Sequence, residues 1–255
     1  MKILSHCAKL VQAMKQIPVT TELLQRFRAK PQTLIFEGYC VNFDNVTVYS
    51  DSDSYALTAV NHLGVTECCI FTEQTAFIDE VVERLHGNVK FCGVSTFVTD
   101  YLSQRYRFEW IDRCNLFAWN GQPLDTSVID CDVRPLNTEY VKQVSDGTPY
   151  HANLDEVRMC LTRHPSAAAY VDGKPVCWCL LHLEGSMGML YTLPEYRRQG
   201  YALRVMTAIT QMVLNAGNVP YAYIVVDNAA SKGLAVKYNL YDVCRADYFE
   251  ISFNS

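Results

Sequence analysis

The 255-residue sequence predicts an α+β fold, a mixed sheet flanked by helices. Three observations predict it. Apolar runs of strand character alternate with segments of helical period. The C-terminal half places antiparallel strands first and a right-handed β-α-β crossover after them. One strand also runs through a basic, glycine-containing turn directly into an amphipathic helix. Apolar residues make up 49% of the chain and charged residues 19%, a globular rather than disordered composition. The length suits one large domain or two modest ones.

In the N-terminal half, residues 1–16 and 20–29 read as helices, and Leu34–Tyr39 and Asn45–Ser50 as strands. The polar stretch Asp51–Ser54 reads as a loop before a helix at 55–63. A strand at Glu67–Thr72, a helix at Thr75–His86 stopped by His86-Gly87-Asn88, a strand at Val89–Gly93, a helix at Ser95–Arg105 and a strand over Phe108–Trp119 follow. Asn120-Gly121-Gln122-Pro123 is a turn cluster and marks the expected boundary between an N-terminal α/β domain, 1–127, and a C-terminal domain, 128–255.

The C-terminal half begins with a short strand ending at Val133-Arg134-Pro135, a helix from Asn137-Thr138-Glu139 and a second helix over Asn153–Arg163. Ala167–Val171 and Pro175–Leu183 flank Asp172-Gly173-Lys174, a hairpin signal. Glu184-Gly185-Ser186 turns into the strand Met187–Leu193, which Pro194 closes. From Leu203 the apolar residues Leu203, Met206, Ile209 and Val213 recur at helical spacing as far as Gly217 and Pro220. A β-rich run at Tyr221–Val226, a helix at Asn228–Lys237 and strands near Leu240–Val243 and Tyr248–Phe253 complete the order β-α-α-β-β-β-α-β-α-β-β.

Charge excludes one class of partner. Net charge is −5; residues 1–127 carry 11 basic and 14 acidic groups and residues 128–255 carry 11 and 13, with no Lys/Arg run, so nucleic acid is not an expected partner. No apolar stretch has membrane-spanning length, so no membrane partner is expected either. The eleven cysteines are odd in number and scattered, and neither a C-x-x-C nor a Cys/His cluster with zinc spacing occurs. No metal is expected, and the thiols imply a reducing compartment, the cytoplasm. The first fifteen residues space Lys2, Lys9 and Lys15 among Leu4, Leu10 and Val11 but hold no arginine, unlike an organelle presequence; a mitochondrial location stays the alternative.

The segment Arg197-Arg198-Gln199-Gly200-Tyr201-Ala202 joins the 187–193 strand to the long helix. A helix N-terminus carries unpaired N–H groups and partial positive charge, which together hold a phosphate or diphosphate. Gly200 lets the backbone approach such a ligand, and Ala202 keeps the helix entry narrow. Neither a P-loop nor a G-x-G-x-x-G fingerprint is present. The competing reading is an ordinary strand–helix connection with two solvated arginines.

The element order and Thr-Leu-Pro-Glu-Tyr-Arg-x-x-Gly resemble the GNAT superfamily of acyl-CoA-dependent N-acyltransferases. Its Arg/Gln-x-x-Gly-x-Gly/Ala motif is met at Arg197, Gly200 and Ala202. Pro175-Val176-Cys177-Trp178 and Tyr191-Thr192-Leu193-Pro194-Glu195-Tyr196-Arg197 resemble the glycine N-acyltransferase-like branch. The specific matches cover residues 130–243; the N-terminal half resembles that branch only in layout, as a degenerate copy of the same fold.

The resemblance implies that amides of Arg198, Gln199, Gly200, Tyr201, Ala202 and Leu203, with Arg197 in the motif, bind the diphosphate of an acyl-CoA co-substrate. It implies further that main-chain groups of Leu190, Tyr191 and Thr192 hold the pantetheine as an added strand, and that Asn228 contacts the pantetheine or acyl end. A main-chain N–H of that strand would polarise the thioester carbonyl. Amide formation also needs a base and an acid. The branch's glutamate position is Ser186 here, and the tyrosine position of many GNAT enzymes is Ala235. Glu184, two residues before Ser186, is the candidate base by strand parity; His182, on the same parity, is the alternative, and Tyr238 is a candidate acid. The implied activity is acyl transfer to the amine of a small amino acid such as glycine, with Arg134, Arg158 and Arg163 as candidates for its carboxylate. Acetylation of a peptide, lysine or polyamine amine, and non-catalytic acyl-CoA binding or regulation, are the alternatives.

Overall fold

The structure is a computed structural model and describes residues 14–51, 53–148 and 152–253. In the N-terminal half the order is β1 (Lys15–Ile17), α1 (Thr21–Arg28), α2 (Leu34–Asn42), β2 (Val46–Asp51), β3 (Ser54–Val60), β4 (Thr66–Phe71), α3 (Thr75–Val82), β5 (Gly87–Val94), α4 (Thr96–Ser103), β6 (Trp110–Asp112) and β7 (Cys114–Trp119). The C-terminal half continues with β8 (Val133–Arg134), α5 (Val141–Gly147), α6 (Leu154–Arg163), β9 (Ser166–Val171), β10 (Lys174–Leu181), β11 (Met187–Thr192), α7 (Tyr201–Asn215), β12 (Tyr221–Val225), α8 (Ala229–Lys237), β13 (Leu240–Arg245) and β14 (Asp247–Phe253). The expected order appears from β8 to β14, and β1 to β7 repeat it element for element.

The two repeats exchange their last strands. β7, from the first repeat, is the middle of a sheet β12-β7-β13, antiparallel to both neighbours. β14, from the second, lies between β5 and β6 in the sheet β1-β2-β3-β4-β5-β14-β6. The strands therefore cross the 127/128 line in both directions. The single strand expected over Phe108–Trp119 is divided because its two parts serve different sheets: β6 pairs with β14, and β7 with β12 and β13.

Four other segments differ from expectation. Leu34–Tyr39 is helical, as part of α2; its Leu34, Ile35, Phe36, Glu37 and Tyr39 are all buried, so its apolar residues show no helical spacing and read as a buried strand interrupted only by Glu37 and Gly38. Residues 55–63, expected as a helix, hold β3, which pairs with β2 and β4 and is buried on both faces. The loop expected at Asp51–Ser54 is a hairpin turn, with Asp51 paired to Ser54 and the Ser54 amide donating to Asp51 Oδ1 at 3.1 Å. Of the helix expected over 1–16, residues 1–13 lie outside the described residues, and Lys15–Ile17 pairs as a strand with β2.

The sheet β11-β10-β9-β8 is covered on both faces. Val205, Ile209 and Val213 of α7 pack with Cys177, Cys179, Leu181 and Met187 on one side. Val144, Val157 and Cys160 of α5 and α6 pack with Trp178, Leu180 and Met189 on the other. Asn153 caps α6 through the amides of Asp155 and Glu156 at 2.8 and 3.3 Å, so the chain turns sharply into this covering helix.

Helix α2 ties the repeats together. Gly38 lies against the turn that precedes β11, where a Cβ would overlap the Glu184 carbonyl oxygen. The Tyr221 hydroxyl donates to that same oxygen at 2.7 Å. Gly38→Ala gains up to about 1 kcal/mol of helix propensity. Against it stands backbone overpacking of about 1–3 kcal/mol, and the obstructing atom is main chain, which gives way poorly. Thermal denaturation is expected to show a melting temperature lower by several degrees; an unchanged or higher value would contradict the close contact.

Candidate functional site

The cradle lies where β11 meets α7. Pro194–Tyr196 form a single 3₁₀ turn, Arg198 adopts φ 65° and Gly200 φ 84°, and the helix starts at Tyr201. These left-handed conformations turn the main chain so that the amides of Arg198, Gln199, Gly200, Tyr201 and Ala202 have no acceptor among the described residues. The Leu203 amide, also expected in the cradle, donates to the Gly200 carbonyl at 3.1 Å. Five consecutive free N–H groups at the start of a fifteen-residue helix have the geometry that can hold an anion.

Side chains brace this turn. The Arg197 guanidinium donates from Nε to the Thr192 carbonyl at 3.0 Å and lies over the Tyr191 ring. Gln199 donates to the Glu195 carbonyl at 3.0 Å. Arg204 forms a bidentate pair with Asp130 and donates from Nη1 to the Gln199 carbonyl at 2.8 Å. The Arg204 hydrogen bond to its carboxylate holds Asp130 below the usual carboxylate range. Arg204 and Asp130 were not singled out from the sequence: they lie 74 residues apart, and only the fold joins them.

β11 is an edge strand, and so is β12 of the neighbouring sheet; they touch but do not pair. In the first repeat the corresponding strands, β4 and β5, are paired in parallel through Thr66↔Val89, Glu67↔Lys90 and Cys68↔Phe91, and the β4–α3 link Thr72-Glu73-Gln74 contains no glycine. Only the second repeat therefore has an open slot. Leu190, Tyr191 and Thr192 are half-buried along its β11 side. Asn228 lies just past the β12 side and caps α8, its Oδ1 accepting from the Ser231 amide at 3.0 Å. β11 also carries a bulge: Trp178 pairs with Tyr191 and Leu180 with Gly188, so one extra residue is inserted, and Met189 takes φ 52°.

The candidate proton-handling residues lie in and around the turn between β10 and β11. Glu184 is in this turn rather than in an unbroken strand, because Gly185 adopts φ 91° and the Gly185 amide donates to the His182 carbonyl at 2.8 Å. Strand parity therefore does not govern Glu184. Its carboxylate accepts from the buried Ser186 hydroxyl at 2.5 Å, and it lines a cavity of about 130 Å³ with Glu37, Asn42, His164 and Tyr221. Glu37 there is held by Arg28, whose Nε donates to it at 2.7 Å. His164 is half-buried, which pulls its basicity down, and its Nε2 lies 3.2 Å from the Leu183 carbonyl. Ala235 is fully buried. Tyr238 packs in the α7 core, and burial pushes its hydroxyl pKa up. His182 stands apart, with its ring against Gly188 on β11.

An open slot between diverging strands, a bulge on its wall and an anion cradle at its end define a protein of the GNAT acetyltransferase fold. Residues 171–244 match the FR47-like protein family. Glycine N-acyltransferases of Homo sapiens and Pongo abelii are 30% identical over 80 residues, covering 31% of this chain and 27% of theirs. The match thus spans about a quarter of the length of these curated relatives. Among solved structures, a Drosophila protein superposes with TM-score 0.71 at 14% identity, covering 94% of this chain and 99% of its own. A GCN5-related N-acetyltransferase-like protein from Streptococcus suis superposes with TM-score 0.56 at 13% identity, covering 91% and 100%. Among the described residues, no group of three or more His, Cys, Asp or Glu side chains could hold a metal ion, and no helix is long and apolar enough to cross a membrane.

Proposed function

We propose that the protein is an acyl-CoA-dependent N-acyltransferase acting on the amine of a small amino acid such as glycine. The observation that carries this is the unpaired slot between β11 and β12 ending at five free amides. The slot suits an extended pantetheine arm lying beside Leu190, Tyr191 and Thr192. The amides of Arg198–Ala202 suit the diphosphate. Arg197 and Arg204 fix the loop that presents those amides, Leu203 supplies the first closed helical turn, and Asn228 keeps its Nδ2 donor for the arm.

The amino-acid acceptor is supported by the partial glycine N-acyltransferase match. Of the three arginines considered for its carboxylate, Arg134 is on β8, three strands from β11 and so about 14 Å away at roughly 4.8 Å per strand. It is also engaged by Tyr170 and Asp132. Arg158 and Arg163 are exposed on α6, and Arg163 adjoins His164, which contacts the turn before β11. Arg163 is thus our choice for the carboxylate clamp. We assign the protein to the cytoplasm, a reducing compartment, supported by ten described cysteines that are all free thiols.

Thiol release from acetyl-CoA against a panel of amino acids, peptides and polyamines tests the proposal. Release that depends on an amino acid is expected, and Arg163→Ala should raise the KM for that acceptor. Coenzyme A binding by calorimetry without release for any amine would instead favour a non-catalytic acyl-CoA-binding protein.

A further inference from the structure

We infer that His182 is the base that takes the proton from the attacking amine; this rests on the acyl-transfer function proposed above. His182 follows β10 and is two residues beyond Leu180, so it shares the face of Trp178 and Leu180. Leu180 is paired with Gly188 across the ladder, which makes Gly188 the diagonal neighbour of His182. Gly188 has no side chain, and the imidazole fills that space: a Cβ on Gly188 would overlap Nε2 and Cδ2 of the ring. The histidine therefore lies over the backbone of β11, one residue before Met189, where the bulge interrupts pairing. A bulge leaves main-chain groups free on the slot wall, and that is where a thioester carbonyl could accept a hydrogen bond.

Glu184 has a different setting. Its carboxylate is bonded to Ser186 and lines the cavity bounded by α2 and the C-terminal end of α7. Helix α7 covers the sheet face opposite to that of Leu180 and Trp178. His182 is half-buried, and among the described residues its ring rests on the Gly188 backbone rather than on a hydrogen-bond partner. An imidazole so placed keeps a ring nitrogen for an incoming amine.

The step balances without another reactant. The acceptor ammonium gives one proton to His182, and its freed lone pair forms a C–N bond to the thioester carbonyl carbon. The C–S bond breaks with its electron pair on sulfur, a second amine proton neutralises the thiolate, and the third stays on the amide. The imidazolium then returns its proton to solvent.

The test compares two nucleophiles with acetyl-CoA: the amino acid that the parent protein turns over fastest, and hydroxylamine, which is a free base at neutral pH and needs no proton removed. His182→Gln is expected to lower the amino-acid rate by about 10²–10⁴-fold, to leave the hydroxylamine rate within a few-fold, and to leave coenzyme A affinity by calorimetry unchanged. Gly188→Ala, which keeps the histidine but displaces its ring, should show the same selective loss and guards against a folding defect in the first variant. Equal effects on both nucleophiles, or a selective loss in Glu184→Gln but not in His182→Gln, would overturn the assignment. A parent protein that turns over no amine would remove the acyl-transfer function itself, a result distinct from both.

Discussion

Gly200→Val is expected to lower coenzyme A affinity by at least about a hundredfold in calorimetry, with the protein still folded. Gly200 holds φ 84°, a conformation that a β-branched residue adopts at a cost of about 1–3 kcal/mol. A Cβ there would also overlap the Arg204 guanidinium, which braces the loop through the Gln199 carbonyl. Valine therefore either rotates the peptide, re-aiming the amides on both sides of residue 200, or projects its methyl groups toward the anion. Both outcomes remove charge-assisted hydrogen bonds to the diphosphate, each worth about 1.5–3 kcal/mol. Two such bonds, about 3–6 kcal/mol together, exceed the roughly 2.8 kcal/mol that a hundredfold change requires, at about 1.4 kcal/mol per tenfold. Undiminished affinity in a folded Gly200→Val protein would mean that the cradle does not hold the cofactor.

The second large effect concerns truncation. A fragment of residues 128–255 is expected to show no cooperative thermal transition and no stabilisation by coenzyme A. It keeps every element after the turn cluster but lacks β7, the strand between β12 and β13. Among the described residues those two strands have no other strand partner, and without β7 the residues Leu116, Phe117 and Ala118 leave the core they share with Tyr221, Ala222 and Leu240. A fragment of residues 113–246 restores β7 and omits β14, whose partners are in the other sheet. It is expected to melt cooperatively, at lower temperature than the whole chain because α2 no longer supports the Glu184 turn. Circular dichroism melts of both fragments decide the matter; cooperative unfolding of 128–255 would show that β7 is dispensable.

The two truncations also show what local sequence could reveal. The strand, turn and helix at β11–α7 are legible because each of their signals is short-range: Pro194 ending a strand, one glycine before a helix, and helical period from Leu203 onward. The hairpin of β9 and β10 was legible for the same reason, with Asp172-Gly173 at its turn. Strand exchange was not, because residues 114–119 read as a strand whichever sheet receives them, and the choice of partner is a long-range matter. α2 and β3 were interchanged with each other's class because both are buried nearly all round, which erases the 3.6 and 2.0 periods that separate helix from strand. At the site, alternation groups His182 with Glu184 and Ser186 on one face, but Glu184 escapes alternation because Gly185 turns the chain. The fit between His182 and Gly188 joins a side chain to the absence of one, and a single sequence carries no mark of it.

The unpaired edges of β11 and β12 have a cost outside catalysis. Exposed strand edges invite pairing with other chains, and proteins commonly blunt them with lysine, proline or a covering loop. Here such protection is restricted, because whatever seals the slot also excludes its ligand. Met187-Gly188-Met189-Leu190-Tyr191-Thr192 has no charged residue at all. The empty protein should therefore be its most aggregation-prone form, and a ligand that fills the slot should protect it from aggregation as well as stabilise it.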